Sequence, residues 1–131
     1  MDKEALLGKE LSNLYAIYKQ VNHFFDGSDI SFLSERRQQI VMNYVKLSCK
    51  NEEAVAEVLR KAHINPGNTI DSVVNEITDN LHKITLQKKE NKKLEGLGYM
   101  MSFNRLVSYH DANVKNIEFI LNELGQLKTY R

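Results

Sequence analysis

The chain has 131 residues, 42% of them apolar and 27% charged, with 18 Lys and Arg set against 17 Asp and Glu. That is the composition of one ordinary folded domain, spanning 1–131, and not of a disordered tail. A formal net charge of +1 supplies no general electrostatic drive toward nucleic acid or a membrane surface.

A single cysteine, Cys49, excludes an intrachain disulfide and fits a reducing, cytoplasmic setting. The opening residues MDKEALLGKE mix both signs of charge and lack the apolar run of a secretory signal. No apolar run reaches the length needed to span a bilayer.

In chain order, the first predicted helix covers about residues 3–25. Its apolar side chains Leu7, Leu11, Leu14, Tyr18, Val21 and Phe25 recur at alternating steps of four and three, a heptad-like seam. A weak turn, DGSDIS (26–31), follows. The second helix starts near Ser31 or Ser34, either of which can cap free N–H groups. Its stripe reads Leu33, Ile40, Tyr44 and Leu47, flanked by Val41 and Val45. A further helical piece runs from Asn51 through Val55, Val58, Leu59 and Ala62, separate from the second helix or continuous with it through Cys49–Asn51.

NPGN (65–68) is the one strong turn, with proline presetting φ and glycine accepting positive φ. After it, Thr69 is the expected N-cap, with Asp71 in the first turn and a stripe of Ile70, Val73, Val74, Ile77, Leu81 and Ile84. The polar run QKKENKK (87–93) leads to the last helix. There Met100, Phe103, Val107, His110, Val114, Ile117, Leu121 and Leu124 form a long seam that ends at Gly125 as a C′ residue. No alternating strand pattern is sustained. The expected architecture is all-α: an antiparallel four-helix bundle, or five helices if the second is split.

Chemical motifs are sparse. Asp79-x-x-His82 has metal-ligand types, but the stripe of its helix places both largely off the core face, so no metal is expected. His82 also lacks the small-residue surroundings of a phosphoryl acceptor. His23 and His63 lie near helix ends, where a cation suits the dipole. Cys49 reads as a small, partly buried apolar residue. EGLG (95–98) follows no strand and precedes no phosphate-binding lysine, and it reads as a segment that loosens or starts the last helix. No cofactor is expected.

Lys88, Lys89, Lys92 and Lys93 cluster in one run. They read as a solvated connection or, alternatively, as a docking patch for nucleic acid or an acidic protein face. Tyr99, Met100 and Met101 are three bulky residues in a row, of which at most two can face one core, leaving surface for a partner.

Within RLVSYHDANVKNIEFILNEL (105–124), Arg105 and His110 form an Arg-x4-His pair. This terminal segment resembles HEPN-type ribonucleases, small all-α domains that commonly dimerise and cleave RNA without metal. The resemblance implies that Arg105 would hold the scissile phosphate and His110 would act as general acid or base. On an unbroken helix five residues turn by about 500°, so the two side chains diverge by roughly 140°. Such a site therefore needs a helix break or a second chain. The other reading makes His110 a polar member of the helical seam, hydrogen-bonded to a neighbouring helix.

Three functions remain open on these grounds. One is a binding or regulatory protein that acts through protein–protein contacts, with another protein or with itself as a homodimer. The second is the dimeric Arg/His ribonuclease. The third is a helical nucleic-acid-binding subunit resting on the lysine run.

Overall fold

The computed structural model describes residues 1–87 and 91–125. Its regular elements are α1 (Lys3–Phe25), α2 (Glu35–Lys61), α3 (Ser72–Leu86) and α4 (Lys92–Glu123), with no strand among the described residues. The protein is all-α, with four helices packed as an up-and-down bundle. α2 passes without a break through Cys49–Asn51, so the described residues form four helices and not five. None of these helices is long and apolar enough to cross a membrane.

Each helix starts on a short polar side chain that accepts a backbone N–H three residues on. Asp2 takes Ala5, Ser34 takes Arg37, Asp71 takes Val74 and Asn91 takes Leu94. The third cap corrects the expectation of Thr69. Thr69 Oγ1 instead donates back to the Pro66 carbonyl at 2.8 Å. Asp71 is preferred because the rest of the bundle grips it. Its carboxylate accepts from the Tyr109 hydroxyl at 2.6 Å and from Asn13 Nδ2 at 3.1 Å. Gln20 accepts the Asp71 N–H at 2.8 Å and donates to its carbonyl at 3.0 Å. One buried residue thus caps α3 and ties it to both α1 and α4.

The turn after α2 closes on His63, whose φ is 56°. The Ile64 N–H returns to the Leu59 carbonyl and the His63 N–H to the Arg60 carbonyl, the paired bonds of a Schellman motif. Ile64 then packs on the cluster that contains Leu59, which fixes the exit angle of the chain. Gly125, with φ 72°, follows the α4 C-cap at Leu124, as its C′ position requires.

α1 is the common support. It packs on α2, α3 and α4, whereas α3 packs on α4 and α1, and α2 packs closely on α1 alone. The buried core of α1, α3 and α4 joins Ile17, Val21, Val74, Leu81, Tyr99, Phe103 and Leu106, and Val41 enters it from α2. A second cluster at the other end contains Leu11, Leu14, Tyr18, Leu59 and Ile117.

α1 buries Leu11, Leu14, Tyr18 and Val21 as its stripe predicts, but other registers shift from those expected. On α2 the buried line is Val41, Ser48 and Leu59, while Ile40 and Leu47 are 44% and 57% exposed. On α4 the expected seam is buried at Phe103, His110 and Ile117, while the deepest residues, Tyr99 and Leu106, lie one step round from it. Ile70 and Val73 stand outside the core. The two glycines of EGLG neither start nor interrupt α4. Gly96 is buried where α4 meets the α2 entrance, and a Cβ there would lie 3.2 Å from the Arg37 guanidinium and 3.6 Å from Leu33.

Candidate functional site

The residues singled out by the sequence do not converge. α4 is continuous from Lys92 to Glu123, so no break brings Arg105 toward His110. Arg105 is exposed, and His110 is 5% exposed and faces the bundle. The His110 Nδ1 lies 2.5 Å from the Tyr44 hydroxyl. Its ring meets Tyr18 edge-on at 4.3 Å and Tyr44 at 5.7 Å between centroids. Burial lowers the imidazole to about 4, with the Asp111 carboxylate acting in the opposite sense. His110 is therefore neutral at pH 7, clamped between two phenols. Burial raises both phenols, Tyr44 well above its ordinary value with Tyr18 adding to the effect, and Tyr18 against the pull of a hydrogen bond with Asn51.

Asp79 and His82 are exposed on α3, and no group of three His, Cys, Asp or Glu among the described residues is placed to hold a metal ion. Cys49 is exposed on α2, not partly buried as its small apolar character suggested. It falls one residue after the buried Ser48, and a single step on a helix turns the side chain about 100° away.

Of the lysine run, Lys88 and Lys89 lie outside the described residues. Lys92 and Lys93 are exposed in the first turn of α4, at the positive end of its dipole. The YMM triplet is divided by the helix. Tyr99 is completely buried, edge-on to Phe32 at 5.5 Å. Met100 is half-buried, and Met101 is 51% exposed.

The structure assembles a different feature. Because α2 lies close to α1 but not to α4, a groove opens between α2 and α4, bridged by Tyr44 and floored by Tyr18. One part of it, about 260 Å³, is lined by Ile40, Tyr44, Met100, Phe103, Asn104 and Val107. The adjoining part, about 280 Å³, shares Tyr44 and Val107 and continues along Leu47, Ser48, Asn51, His110, Asp111 and Val114. From Ile40 to Asn51 the α2 wall runs for about 16 Å, or three helical turns. The walls are mostly apolar.

Ile40, Leu47, Met100 and His110 were all visible as members of helical stripes, but as core. Ser48 was missed, although the seven-residue spacing of Val41, Ser48 and Val55 places it on the buried line of α2. No family model, no curated protein and no solved structure matches this chain.

Proposed function

We propose that the protein is a binding or regulatory module that seats an amphipathic helix of a partner protein in the α2/α4 groove. The observation that carries this reading is the exposure of Ile40 and Leu47 along an apolar cleft that neither of its flanking helices closes. Scattered surface leucines mean little, but a contiguous apolar cleft between helices is a common docking surface.

The occupant follows from shape and from precedent within the molecule. The groove runs for about three turns along α2. A comparable cradle, formed by α1 and α4, already holds the 15-residue α3 by its Val74 and Leu81 face. A helix with apolar residues at spacings of three and four suits the open groove in the same manner. The neutral, buried His110 favours this reading over RNA cleavage, which needs an imidazole that reaches substrate and exchanges protons near neutral pH.

The test is selection of helical peptides from a displayed library of amphipathic sequences, with binding to the full chain measured by fluorescence anisotropy. The expected result is that Ile40→Asp and Leu47→Asp weaken the selected helices at least tenfold, while Arg105→Ala leaves binding unchanged. Helices that bind Leu47→Asp as well as wild type would overturn the docking site. A concentration-dependent dimer abolished by Leu47→Asp would instead assign the groove to a second copy. Cleavage of single-stranded RNA that is lost in His110→Ala would overturn the reading in favour of a nuclease.

A further inference from the structure

The groove is not apolar throughout. Ser48 from α2 and His110 from α4 line its inner half, 2% and 5% exposed. The Ser48 Oγ and the His110 Nε2 are both buried without a hydrogen-bond partner among the described residues. A group left in that condition carries a substantial desolvation penalty. A helical serine normally relieves it by donating to the carbonyl four residues earlier. Ser12 does so to Gly8 at 2.8 Å, and Thr78 to Val74 at 2.9 Å. Ser48 makes no such bond, which leaves its hydroxyl free to donate and to accept.

The other nitrogen of His110 determines what Nε2 offers. Nδ1 faces the Tyr44 hydroxyl. A phenol is a far stronger acid than a neutral imidazole N–H, so the phenol donates to Nδ1 and the ring hydrogen resides on Nε2. The pocket is therefore lined by an imidazole that carries its hydrogen on Nε2, by the Ser48 side chain and by Asn51, set against Leu47, Val107 and Val114. An occupant meets the first two groups, which are closed to solvent in the free chain, as the side chains over them part. Asp111 stands at the exposed rim with its charge met by Lys115 at 3.0 Å.

These features select the occupant. A carboxylate would be desolvated by apolar walls beside Asp111, with no cation in the pocket to meet it. An ammonium group has nothing to accept and so cannot use the Nε2 hydrogen. A purely apolar group leaves both polar atoms unpaired. A carboxamide satisfies both: its oxygen accepts from Nε2–H and its NH₂ donates to Ser48 Oγ.

We propose that the Ser48/His110 pocket is a specificity site for a carboxamide, supplied by an Asn or Gln side chain of the helix that docks in the groove. This rests on the reading of the groove as a helix-docking surface. Ile40 and Leu47 supply apolar contact, and the Ser48/His110 pair rejects helices that carry a charge or only apolar groups at the facing position.

The chemistry can be probed with benzamide, whose ring fills the apolar part of the cleft. Benzamide, benzoate and toluene are titrated into the ¹⁵N-labelled full chain and followed by two-dimensional NMR. Benzamide is expected to give saturable shifts at Ser48, Asn51 and His110, at least fivefold tighter than benzoate or toluene. Ser48→Ala should remove that preference while raising the Tm, because alanine favours the helix and discards an unpaired hydroxyl. Among selected helices, replacing the pocket-facing Asn or Gln by Leu should weaken binding about tenfold. Equal binding of the three probes, or an unchanged preference in Ser48→Ala, overturns the proposal. If helices dock on Leu47 but carry no carboxamide at the pocket, the specificity site fails and the docking reading stands. If benzamide binds in a Ser48-dependent way while no helix docks, both fail, and the pocket is a site for a small carboxamide.

Discussion

Lowering the pH from 7 to 5 is expected to cost the wild-type fold about 2 kcal/mol that a His110→Gln variant does not lose. The magnitude follows from the surroundings of one ring. A free imidazole titrates near 6.5, and burial lowers His110 to about 4. Between those values the unfolded chain binds the proton and the folded chain does not, so acid favours unfolding. The contribution is fully present above about pH 6.5, falls by up to about 1.4 kcal/mol per pH unit below it, and is exhausted near pH 4. The whole window amounts to about 3 kcal/mol, of which about 2 kcal/mol is lost by pH 5. Glutamine is polar and does not titrate, so it can still accept from Tyr44 and serves as the reference for every other titrating group. Urea denaturation followed by circular dichroism at pH 7, 6 and 5 measures the difference between the two proteins. A difference that stays constant within about 0.5 kcal/mol across that range would refute the argument. His110 would then titrate as an exposed ring does, and its clamp between Tyr18 and Tyr44 would not hold it neutral.

Other substitutions test the rest of the molecule. Asp71→Ala removes a cap and strands the Tyr109 hydroxyl and the Asn13 amide, and is expected to destabilise by about 3 kcal/mol in the same denaturation assay. The same change should let the Tyr109 phenol, held up at about 12 by burial and by Asp71, titrate at lower pH in ultraviolet difference spectra. His63→Gly relieves a left-handed residue and should stabilise by about 1 kcal/mol; a loss of stability would contradict the Schellman turn. Gly98→Ala, where an added Cβ meets nothing within 4 Å, should stabilise α4 by about 0.5–1 kcal/mol, read as a rise in Tm.

The all-α bundle, the Pro66–Gly67 turn and the Gly125 stop were legible because each depends on local chemistry, whereas the sequence left open whether the second helix runs through Cys49–Asn51 and whether Ser31 or Ser34 caps it. Register was less so. On α2, Ile40 and Leu47 form as good a periodic stripe as Val41 and Ser48, and periodicity alone does not say which of two adjacent stripes meets α1. The choice is made by neighbours distant in sequence, such as Asn22, which donates to Glu52 at 2.9 Å. The α3 cap failed for a similar reason. Thr69 and Asp71 are equally good caps locally, and the contacts that favour Asp71 come from Asn13, Gln20 and Tyr109. His110 stood out in the sequence as the polar member of an apolar stripe, and it lies buried on α4, facing the bundle. Ser48 lines the same pocket, while Arg105 is exposed, and Ser48 was not legible because a buried serine leaves no mark in a composition or a motif.

The unequal attachment of the helices has a consequence for how the molecule opens. α1, α3 and α4 are pinned together through Asp71, while α2 holds closely to α1 alone and reaches α4 by side chains such as Tyr44. The least costly partial unfolding therefore releases α2 as a unit and leaves a three-helix remainder, and amide exchange should run fastest along Glu35–Lys61. The groove has one wall on each side of that division. An occupant clamped between them would raise the free energy of that opening by its own binding energy, so the least protected helix of the free protein would become the best reporter of the bound one.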